Sequence, residues 1–275
     1  MGKIGWKDLK LRLEPYVRRA DSAILRVLSS DAGSPFTEPL MEFMRGGKRV
    51  RPVILLLVNE AVGGGGDPEP AAAAVELIHA ASLIHDDIID ESETRRDSAS
   101  FHSRYGVEMA ILIADYILSL VLELASSYGD RRVGKIVSEA TKTMSIGEAM
   151  EVSFIRKAAP ISLDDYLRVL EYKTASLFRA ASSLGALIAG RDHLIEKMDL
   201  YGLYLGLAYQ IKDDLLDWGG KSELTRFLRE DARDSLNDLA LSYAREAVNA
   251  LSYIPDSPQK EILKRIVFYS IERNG

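Results

Sequence analysis

The stretch that decides the fold runs from Pro70 to Asp90 and reads PAAAAVELIHAASLIHDDIID. Ala, Leu and Ile recur in it at spacings of three and four residues, which predicts a helix with apolar side chains around most of its circumference. Asp67 stands just before this stretch and is expected to cap the helix, because Asp accepts hydrogen bonds from the first backbone N–H groups. The predicted helix ends in a dense acidic cluster.

That cluster, Asp86-Asp87-Ile88-Ile89-Asp90, recurs as Asp213-Asp214-Leu215-Leu216-Asp217 after a second apolar helix, Tyr201–Ile211. In each cluster the first and last Asp are four residues apart, so their carboxylates project from one helix face. Carboxylates crowded at the end of a helix repel one another and favour a bound cation. Oxygen ligands without Cys or His favour Mg²⁺ or Mn²⁺ over zinc. Two such clusters predict a metal clamp for a diphosphate, and the apolar helices predict a pocket for a hydrophobic tail.

The same spacing of apolar residues continues along the chain, and alternating strand-like runs are hard to find. Further helices are predicted over Val107–Ser127, Arg131–Phe154, Leu163–Ala189, His193–Trp218, Leu236–Leu251 and Gln259–Glu272. No composition shift or low-complexity linker divides the sequence. We therefore expect an all-α protein with a single domain over residues 1–275, a bundle of long helices built around a central apolar pair.

The overall composition limits the class of protein. Of 275 residues, 47% are hydrophobic and 28% are charged, as in ordinary soluble proteins. The net charge of −6 argues against nucleic acid as a partner, and the absence of Cys excludes disulfides, thiolate catalysis and Cys-ligated zinc. The longest apolar stretch, Val107–Leu124, contains Asp115, which predicts a buried helix and no transmembrane segment. The first residues lack the apolar core of a signal peptide, so we expect a cytoplasmic protein.

Basic residues stand close to the acidic clusters in the sequence. Gly46-Gly47-Lys48-Arg49-Val50-Arg51-Pro52 is a glycine turn with three cations that can wrap an anion, although it lacks P-loop spacing. Arg95 and Arg96 follow the first cluster, and Arg is suited to bidentate phosphate contacts. Lys173 and Thr174 lie within a predicted helix, where Lys173 either forms a surface ion pair or faces a phosphate.

Glu76 and His79 have the Glu-x-x-His spacing of di-iron carboxylate bundles. That type of site needs two such motifs, and the sequence contains one. A di-iron centre is therefore not predicted. His85 is expected to pack or to form a hydrogen bond near the first cluster.

Four motifs occur in order: Gly-Gly-Lys-Arg-x-Arg-Pro from Gly46, His-Asp-Asp-x-x-Asp followed by Arg-Arg, Lys-Thr, and Gln-x-x-Asp-Asp-x-x-Asp ending at Asp217. Together they resemble the trans-isoprenyl diphosphate synthases, the family of farnesyl and geranylgeranyl diphosphate synthases. The resemblance implies the isoprenoid synthase fold, a helical bundle around a deep apolar cavity. It also implies a homodimeric, Mg²⁺-dependent enzyme that condenses isopentenyl diphosphate with an allylic diphosphate to give a longer all-trans polyprenyl diphosphate.

The resemblance gives each matching residue an expected role. Isopentenyl diphosphate is expected to bind Lys48, Arg51, His79 and Arg96. Mg²⁺ or Mn²⁺ is expected at Asp86, Asp87 and Asp90 and at Asp213, Asp214 and Asp217. The allylic diphosphate is expected at Arg95, Lys173, Thr174 and Gln210. The predicted catalytic residues are Asp86, Asp90, Asp213 and Lys173. Metal ions and cations at the leaving diphosphate promote cleavage of the allylic C–O bond.

The sequence departs from the family most clearly after Asp217, where only Trp218-Gly219-Gly220-Lys221-Ser222 leads into the next helix. Lys221 is the candidate for the allylic-site lysine that this region usually carries. Ala81 and Ser82 occupy the family's chain-length positions, and both are small. We therefore expect an open tunnel and a product of C20 or longer, with C25–C30 favoured. The candidates for limiting the tunnel deeper down are Ile111, Leu112 and Met144.

Two alternative functions remain. A class I terpene cyclase also ionises a diphosphate, but it would not need the second set of cations around Lys48 and Arg96. A non-catalytic subunit of a heteromeric prenyl synthase commonly loses aspartates, whereas all six are present here. The altered sequence after Asp217 keeps this second alternative open.

Overall fold

The computed structural model describes residues 6–96, 98–218, 224–229 and 232–272, and this part of the chain is mainly helical. The α-helices are α1 (Trp6–Ser29), α2 (Thr37–Phe43), α3 (Val50–Ala61), α4 (Glu69–Ile89), α5 (Phe101–Tyr105), α6 (Val107–Ser126), α7 (Arg131–Lys157), α8 (Leu163–Leu170), α9 (Ser176–Ile188), α10 (Ile195–Leu216), α11 (Ala232–Ala250) and α12 (Pro258–Glu272). A π-helical turn covers Glu171–Ala175, and 3₁₀ turns cover Asp192–Leu194, Leu224–Phe227 and Leu251–Tyr253. The prediction of an all-α fold is confirmed.

Polar side chains fix the starts of several helices. Asp67 Oδ1 accepts a hydrogen bond of 3.0 Å from the backbone N–H of Glu69, where α4 begins. Ser162 Oγ accepts one of 3.0 Å from the N–H of Asp165 in the first turn of α8. Such caps satisfy N–H groups that have no partner within the helix. The start of α4 is thereby set, and its other end carries the first acidic cluster.

The centre of the bundle is formed by α3, α4, α9 and α10. α3 packs against α4 and α9, and α10 packs against α9 and α11. In α3 every residue from Pro52 to Asn59 is buried, and in α4 every residue from Ala71 to Ile78 is buried. Helices that are apolar on all sides belong in the interior of a bundle. The apolar stretch that precedes the first acidic cluster is therefore a core helix.

Glycines allow three helical segments to approach one another closely. On α10, a Cβ added at Gly202 or Gly206 would lie 2.6 Å or less from backbone atoms of residues 175–178. On α7, a Cβ added at Gly147 would lie 2.4 Å from the backbone nitrogen of Lys173. Glycine has no Cβ, so it permits this approach. The π-helical turn and the start of α9 are thus held between α7 and α10.

The predicted helix Leu163–Ala189 is interrupted. The π-helical turn Glu171–Ala175 separates α8 from α9, and such turns are frequent at functional sites. A small antiparallel pair of strands was not predicted either, namely β1 (Thr94–Arg95) and β2 (Ser98–Ala99). This pair lies directly after the first acidic cluster and carries Arg95.

The expectation of a buried helix holds for only one face of α6. By length and composition α6 is apolar enough to cross a membrane, and 33% of its most apolar window is buried in the fold. Its inner face packs against α4. Its outer face exposes Val107, Ile111 and Leu122, which are spaced by four and eleven residues. This spacing places them along a single stripe.

Candidate active site

The two acidic clusters border one polar cavity of about 420 Å³. The first cluster lies at the end of α4 and the second at the end of α10. The polar residues of the wall are Asp90, Arg95, Glu151, Lys173, Thr174, Gln210, Asp213, Asp214 and Asp217. Carboxylates that are distant in sequence therefore face one common space.

The second Asp of each cluster is withdrawn from solvent and bonded to the protein. Asp87, which is 1% exposed, accepts two hydrogen bonds of 2.8 Å from Arg95 Nε. Asp214, which is 6% exposed, accepts one of 2.5 Å from Tyr166 Oη and one of 2.9 Å from Gln210 Nε2. The first and last Asp of each cluster are less buried than these two. In both clusters, therefore, the second Asp is an inner carboxylate bonded to the protein, and the first and last Asp are outer carboxylates.

Lys173 lies at the centre of a charged group on the cavity wall. Its Nζ is 2.6 Å from Glu148 Oε2 and 3.9 Å from Asp86 Oδ1, and it donates a hydrogen bond to Glu151. Burial lowers the pKa of Lys173, but the three carboxylates more than offset this effect and raise the pKa above its usual value. Lys173 thus both forms ion pairs and faces the cavity.

Negative charge accumulates around this lysine. Burial raises the pKa of Asp86 to about 7, although the Lys173 ammonium acts in the opposite direction. Glu148 and Asp90 raise it further. Burial also raises the pKa of Glu151 above its usual value. The carboxylates outnumber the ammonium, so an additional cation would relieve their mutual repulsion.

The donor set of the two clusters fits a hydrated divalent cation. Among the residues that the structure describes, no three His, Asp or Glu side chains are close enough to hold a metal ion by themselves. Mg²⁺ does not require such a set, because it usually keeps several waters and takes further ligands from substrate phosphates. Oxygen-only donors and surplus negative charge are the conditions that favour Mg²⁺ or Mn²⁺.

A second cavity, of about 430 Å³, has a more apolar wall. It shares Lys173, Thr174 and Gln210 with the polar cavity, so the two adjoin at these residues. Ala81 and Ser82 both line it. The larger apolar residues of its wall are Ile78, Leu83, Ile89, Leu118 and Met144. A hydrocarbon chain can therefore extend from the polar cavity past two small side chains.

The residues expected to limit the tunnel fall into two groups. Met144 lines the apolar cavity, as does Leu118, which the sequence did not indicate. Ile111 and Leu112 do not line it, and the expectation for them is wrong. They lie on the outward face of α6 and are 53% and 52% exposed. The spacing of apolar residues predicts which side chains share a face of the helix, but it does not predict whether that face lines the cavity or points outwards.

Two of the cations expected to bind isopentenyl diphosphate, Arg51 and Arg96, lie near His79. Arg51 and His79 both line the apolar cavity. Burial lowers the pKa of His79 well below its usual value, and Arg51 and Arg96 add to this effect, so the imidazole is neutral and can donate one hydrogen bond. A Cβ added at Gly47 would lie 3.2 Å from Arg96 Nη1, which brings Arg96 to the glycine turn. Lys48 is exposed on that turn.

Arg51 is positioned for an anion. Its Nε is buried and makes no hydrogen bond within the described part of the chain. The guanidinium carbon lies 4.6 Å from the centroid of the Phe178 ring, a cation–π arrangement. Burial lowers the pKa of Arg51, and the charges of Glu76 and Asp213 oppose this effect. A buried donor without a partner favours a ligand with an acceptor oxygen.

Arg49 supports the glycine turn from inside the protein. It has a left-handed backbone (φ 49°), is 7% exposed, and donates to Asp21 Oδ1 at 2.7 Å and to Glu76 Oε1 at 3.0 Å. It also donates to the carbonyl oxygen of Met44. The expectation that all three cations of this turn wrap an anion is therefore wrong for Arg49. Glu76 is ion-paired, so Glu76 and His79 are not half of a di-iron site.

Several site residues were not found from the sequence. Glu148 and Glu151 are three residues apart on α7, which places them on one face, but nothing in that spacing links them to Lys173. Tyr166 stands in an ordinary amphipathic stretch.

His85 is exposed and lines the apolar cavity. Lys221 lies outside the described residues.

Comparison with known proteins agrees with this architecture. Residues 34–260 match the polyprenyl synthetase family. The chain is 36% identical over 220 residues to octaprenyl diphosphate synthase of Escherichia coli (strain K12), covering 79% of this chain and 67% of that protein. It is 32% identical over 280 aligned positions to geranylgeranyl diphosphate synthase of Methanosarcina mazei, covering 83% of this chain and 86% of that protein.

The fold is also similar to a solved structure with bound ligands. Polyprenyl synthase of Caulobacter crescentus CB15, in complex with calcium and isoprenyl diphosphate, superimposes with a TM-score of 0.87 at 27% identity, and 100% of each chain is covered. The matched residues include both aspartate clusters and the glycine turn. The family resemblance drawn from the sequence motifs is confirmed. The chain belongs to the polyprenyl synthetase family of prenyltransferases.

Proposed function

We propose that this chain, as one catalytic domain over residues 1–275, condenses isopentenyl diphosphate with an allylic diphosphate to give a longer all-trans polyprenyl diphosphate. The observation that carries the proposal is the junction of two cavities. The polar one is bordered by both acidic clusters, the other is mainly apolar, and they share Lys173, Thr174 and Gln210. The buried cation Arg51 and the neutral His79 border the apolar cavity, which provides for a second diphosphate.

The residues support a reaction without a protein nucleophile. The allylic diphosphate lies in the polar cavity beside Arg95 and Lys173, and its hydrocarbon extends into the apolar cavity. Positive charge at the leaving group stabilises the transition state in which the allylic C–O bond breaks and its electron pair goes to the diphosphate. The double bond of isopentenyl diphosphate then forms the new C–C bond, and a proton passes to the released diphosphate.

The second substrate is held by cations in different environments. Arg51 supplies an unpaired buried donor, and neutral His79 supplies one hydrogen bond without adding charge. Arg96 and Lys48 lie on the more exposed side and supply positive charge. This arrangement holds isopentenyl diphosphate by its diphosphate and leaves the carbon skeleton near Thr174 and Gln210.

Mg²⁺ or Mn²⁺ is proposed between the two clusters. Asp86 and Asp90 would hold it from the end of α4, and Asp213, Asp214 and Asp217 are the candidate ligands at the end of α10. When bound, such ions supply positive charge to the diphosphate oxygens and assist cleavage of the C–O bond. The protein's own contribution is to keep these carboxylates facing one space while Asp87 anchors the end of α4 through Arg95.

The proposed product is C20 or longer, with C25–C30 favoured. Ala81 and Ser82 support this length, because small side chains on the cavity wall leave room for a hydrocarbon. Ser82 Oγ donates to the carbonyl oxygen of His79 at 2.9 Å, so its hydroxyl is satisfied without a contact in the cavity. Met144 and Leu118 are the large side chains that would end the tunnel.

We also propose that the protein is a homodimer through the outer face of α6. Large exposed apolar stripes usually mark a contact surface. Leu122 is 67% exposed and Ile111 is 53% exposed, so this face would gain most from a second copy. A cytoplasmic location stays a prediction.

The test is an assay of the isolated protein with Mg²⁺, isopentenyl diphosphate and an allylic primer, followed by chromatography of the dephosphorylated products. Elongation to C20 or longer supports the proposal, and an endpoint of C15 rejects the proposed length. Release of diphosphate without elongation would indicate a terpene cyclase. No turnover would indicate a non-catalytic subunit.

A further inference from the structure

Tyr166 lies on α8 and does not line either cavity, yet it is bonded to the second acidic cluster. Its side chain is fully buried (0% exposed), and its hydroxyl donates to Asp214 Oδ2 at 2.5 Å. Burial and the Asp214 carboxylate raise the pKa of Tyr166 above its usual value, so the hydroxyl keeps its hydrogen. A buried Tyr generally needs such a partner. The bond therefore fixes Asp214, which borders the polar cavity, to a residue outside the cavity wall.

The other oxygen of Asp214 determines the orientation of Gln210. A carboxylate only accepts hydrogen bonds, so Gln210 must direct its amide nitrogen towards Asp214 Oδ1, at 2.9 Å. The amide oxygen then points the other way and accepts from Thr174 Oγ1 at 3.1 Å. This assignment follows from the chemistry of the partners and not from the amide group itself.

The chain of bonds ends at the junction of the two cavities. Thr174 lines both cavities, and its hydroxyl has a single hydrogen. Because that hydrogen is donated to Gln210, the hydroxyl has only lone pairs left to present to a ligand. Lone pairs attract a carbon that develops positive charge, and they repel a diphosphate oxygen. Thr174 is therefore suited to the reacting carbon of the allylic group rather than to the diphosphate.

We propose that Tyr166 and Asp214 are positioning residues: Tyr166 holds Asp214, and Asp214 orients Gln210 so that Thr174 presents its oxygen to the allylic carbon. This inference rests on the proposed prenyl transfer and refines it, since it removes Asp214 from the metal-binding set. Asp213 and Asp217 remain in that set, because all three carboxylates border the cavity but these two are less buried than Asp214.

The Asp214→Asn variant tests the orientation of the amide. The amide oxygen at position 214 still accepts a hydrogen bond from Tyr166. The amide nitrogen at position 214 then faces the amide nitrogen of Gln210, and two donors cannot bond to each other. The Gln210 amide must then reverse, and Thr174 turns its hydrogen towards the reacting carbon. We expect kcat to fall about 10²-fold, as when one preorganised dipole is lost from an active site. The KM for isopentenyl diphosphate and the Mg²⁺ concentration for half-maximal rate should stay within about 3-fold of wild type.

The double variant D214N/Q210E is the decisive experiment. In this variant the carboxylate stands at position 210 and the amide at position 214, one helical turn later. The carboxylate accepts hydrogen bonds from the amide nitrogen at position 214 and from the Thr174 hydroxyl. The amide oxygen at position 214 still accepts from Tyr166, so all three hydrogen bonds are restored. We expect the kcat of the double variant to be at least tenfold higher than that of D214N. We also expect its thermal stability to return towards that of the wild type. Tyr166→Phe, which keeps the fold and removes one hydroxyl, should lower kcat less than D214N at unchanged Mg²⁺ dependence.

Other results would overturn the inference. If Asp214 binds metal, D214N raises the Mg²⁺ requirement and the double variant does not recover. If the network is only structural, D214N loses stability without a selective loss of kcat. An inactive wild-type protein would reject the proposed function instead. In that case the stabilities of D214N and the double variant still test the network, since equal losses in both would reject it.

Discussion

A single methyl group on α7 should both destabilise the protein and impair the reaction. Gly147 faces the π-helical turn, and a Cβ added to it would lie 2.4 Å from Lys173 N, 2.8 Å from Tyr172 C and 2.9 Å from Lys173 Cα. Ordinary van der Waals contact begins near 3.4 Å. The clash is with backbone atoms, which cannot rotate away. In Gly147→Ala the turn must therefore move by about 1 Å relative to α7.

The structure gives the magnitude of each effect. Overpacking of a well-packed interior costs about 1–3 kcal/mol of the free energy of unfolding. Lys173 lies on the displaced turn, and its Nζ is held 2.6 Å from Glu148. A displacement of about 1 Å at an active site lowers the rate about 10²-fold. That factor corresponds to about 2.7 kcal/mol in the activation free energy.

The measurements are urea denaturation and the initial rate of isopentenyl diphosphate incorporation. Gly134→Ala is the matched control, because Gly134 is also on α7 and an added Cβ there meets no atom within 4 Å. Ala is preferred over Gly within a helix by about 1 kcal/mol, so this control should be slightly more stable than wild type and fully active. If Gly147→Ala equals Gly134→Ala in both stability and rate, the proposed contact with the turn is wrong.

Four further predictions use other parts of the molecule. Arg49→Met should lower the free energy of unfolding by about 3–5 kcal/mol in urea denaturation, because it leaves the buried carboxylate of Glu76 without its partner. In metal-free protein Asp86 has a pKa of about 7, above its unfolded value of about 3.9, so its contribution to stability is complete below about pH 4 and is lost as the pH rises to about 7. Thermal unfolding of Asp86→Asn in EDTA should lack that part of the pH dependence. Ala81→Phe should shorten the products seen by chromatography, since Ala81 lines the apolar cavity. Leu122→Glu should convert a dimer to a monomer in sedimentation velocity, and an unchanged sedimentation coefficient would reject the α6 interface.

The features predicted correctly from the sequence are those that depend on local periodicity. The spacing of three and four residues in the stretch from Pro70 to Asp90 requires a helix, and so it requires the carboxylates of Asp86 and Asp90 to share a face. The same reasoning applies to Asp213 and Asp217. Asp90, Asp213 and Asp217 border the polar cavity, and Asp86 borders the adjoining apolar cavity. Short-range geometry is sufficient for this part of the site.

Features that depend on which other segment packs against a helix could not be predicted from the sequence. The π-helical turn within the predicted helix Leu163–Ala189 changes the apolar pattern by one position, which is too little to be seen in one sequence. Glu148 and Glu151 have an ordinary helical spacing and acquire meaning only beside Lys173. The stripe on α6 reads as a core face, although the described part of the chain leaves it uncovered.

The repeated pair of adjacent aspartates shows most clearly where sequence reasoning stops. The sequence presents the first two Asp of each cluster as equivalent, but successive residues on a helix point about 100° apart. The second Asp therefore projects from a different side of the helix, towards the protein, and it is the more buried of the two, although Asp214 still borders the polar cavity. Asp87 meets Arg95 there, and Asp214 meets Tyr166. A carboxylate at the C-terminal end of a helix is unfavourable beside the helix dipole, so each inner Asp needs such a donor. Two separate helices reach the same solution with different partners, which indicates that the inner carboxylate serves to hold the helix end while the outer pair meets the ligand.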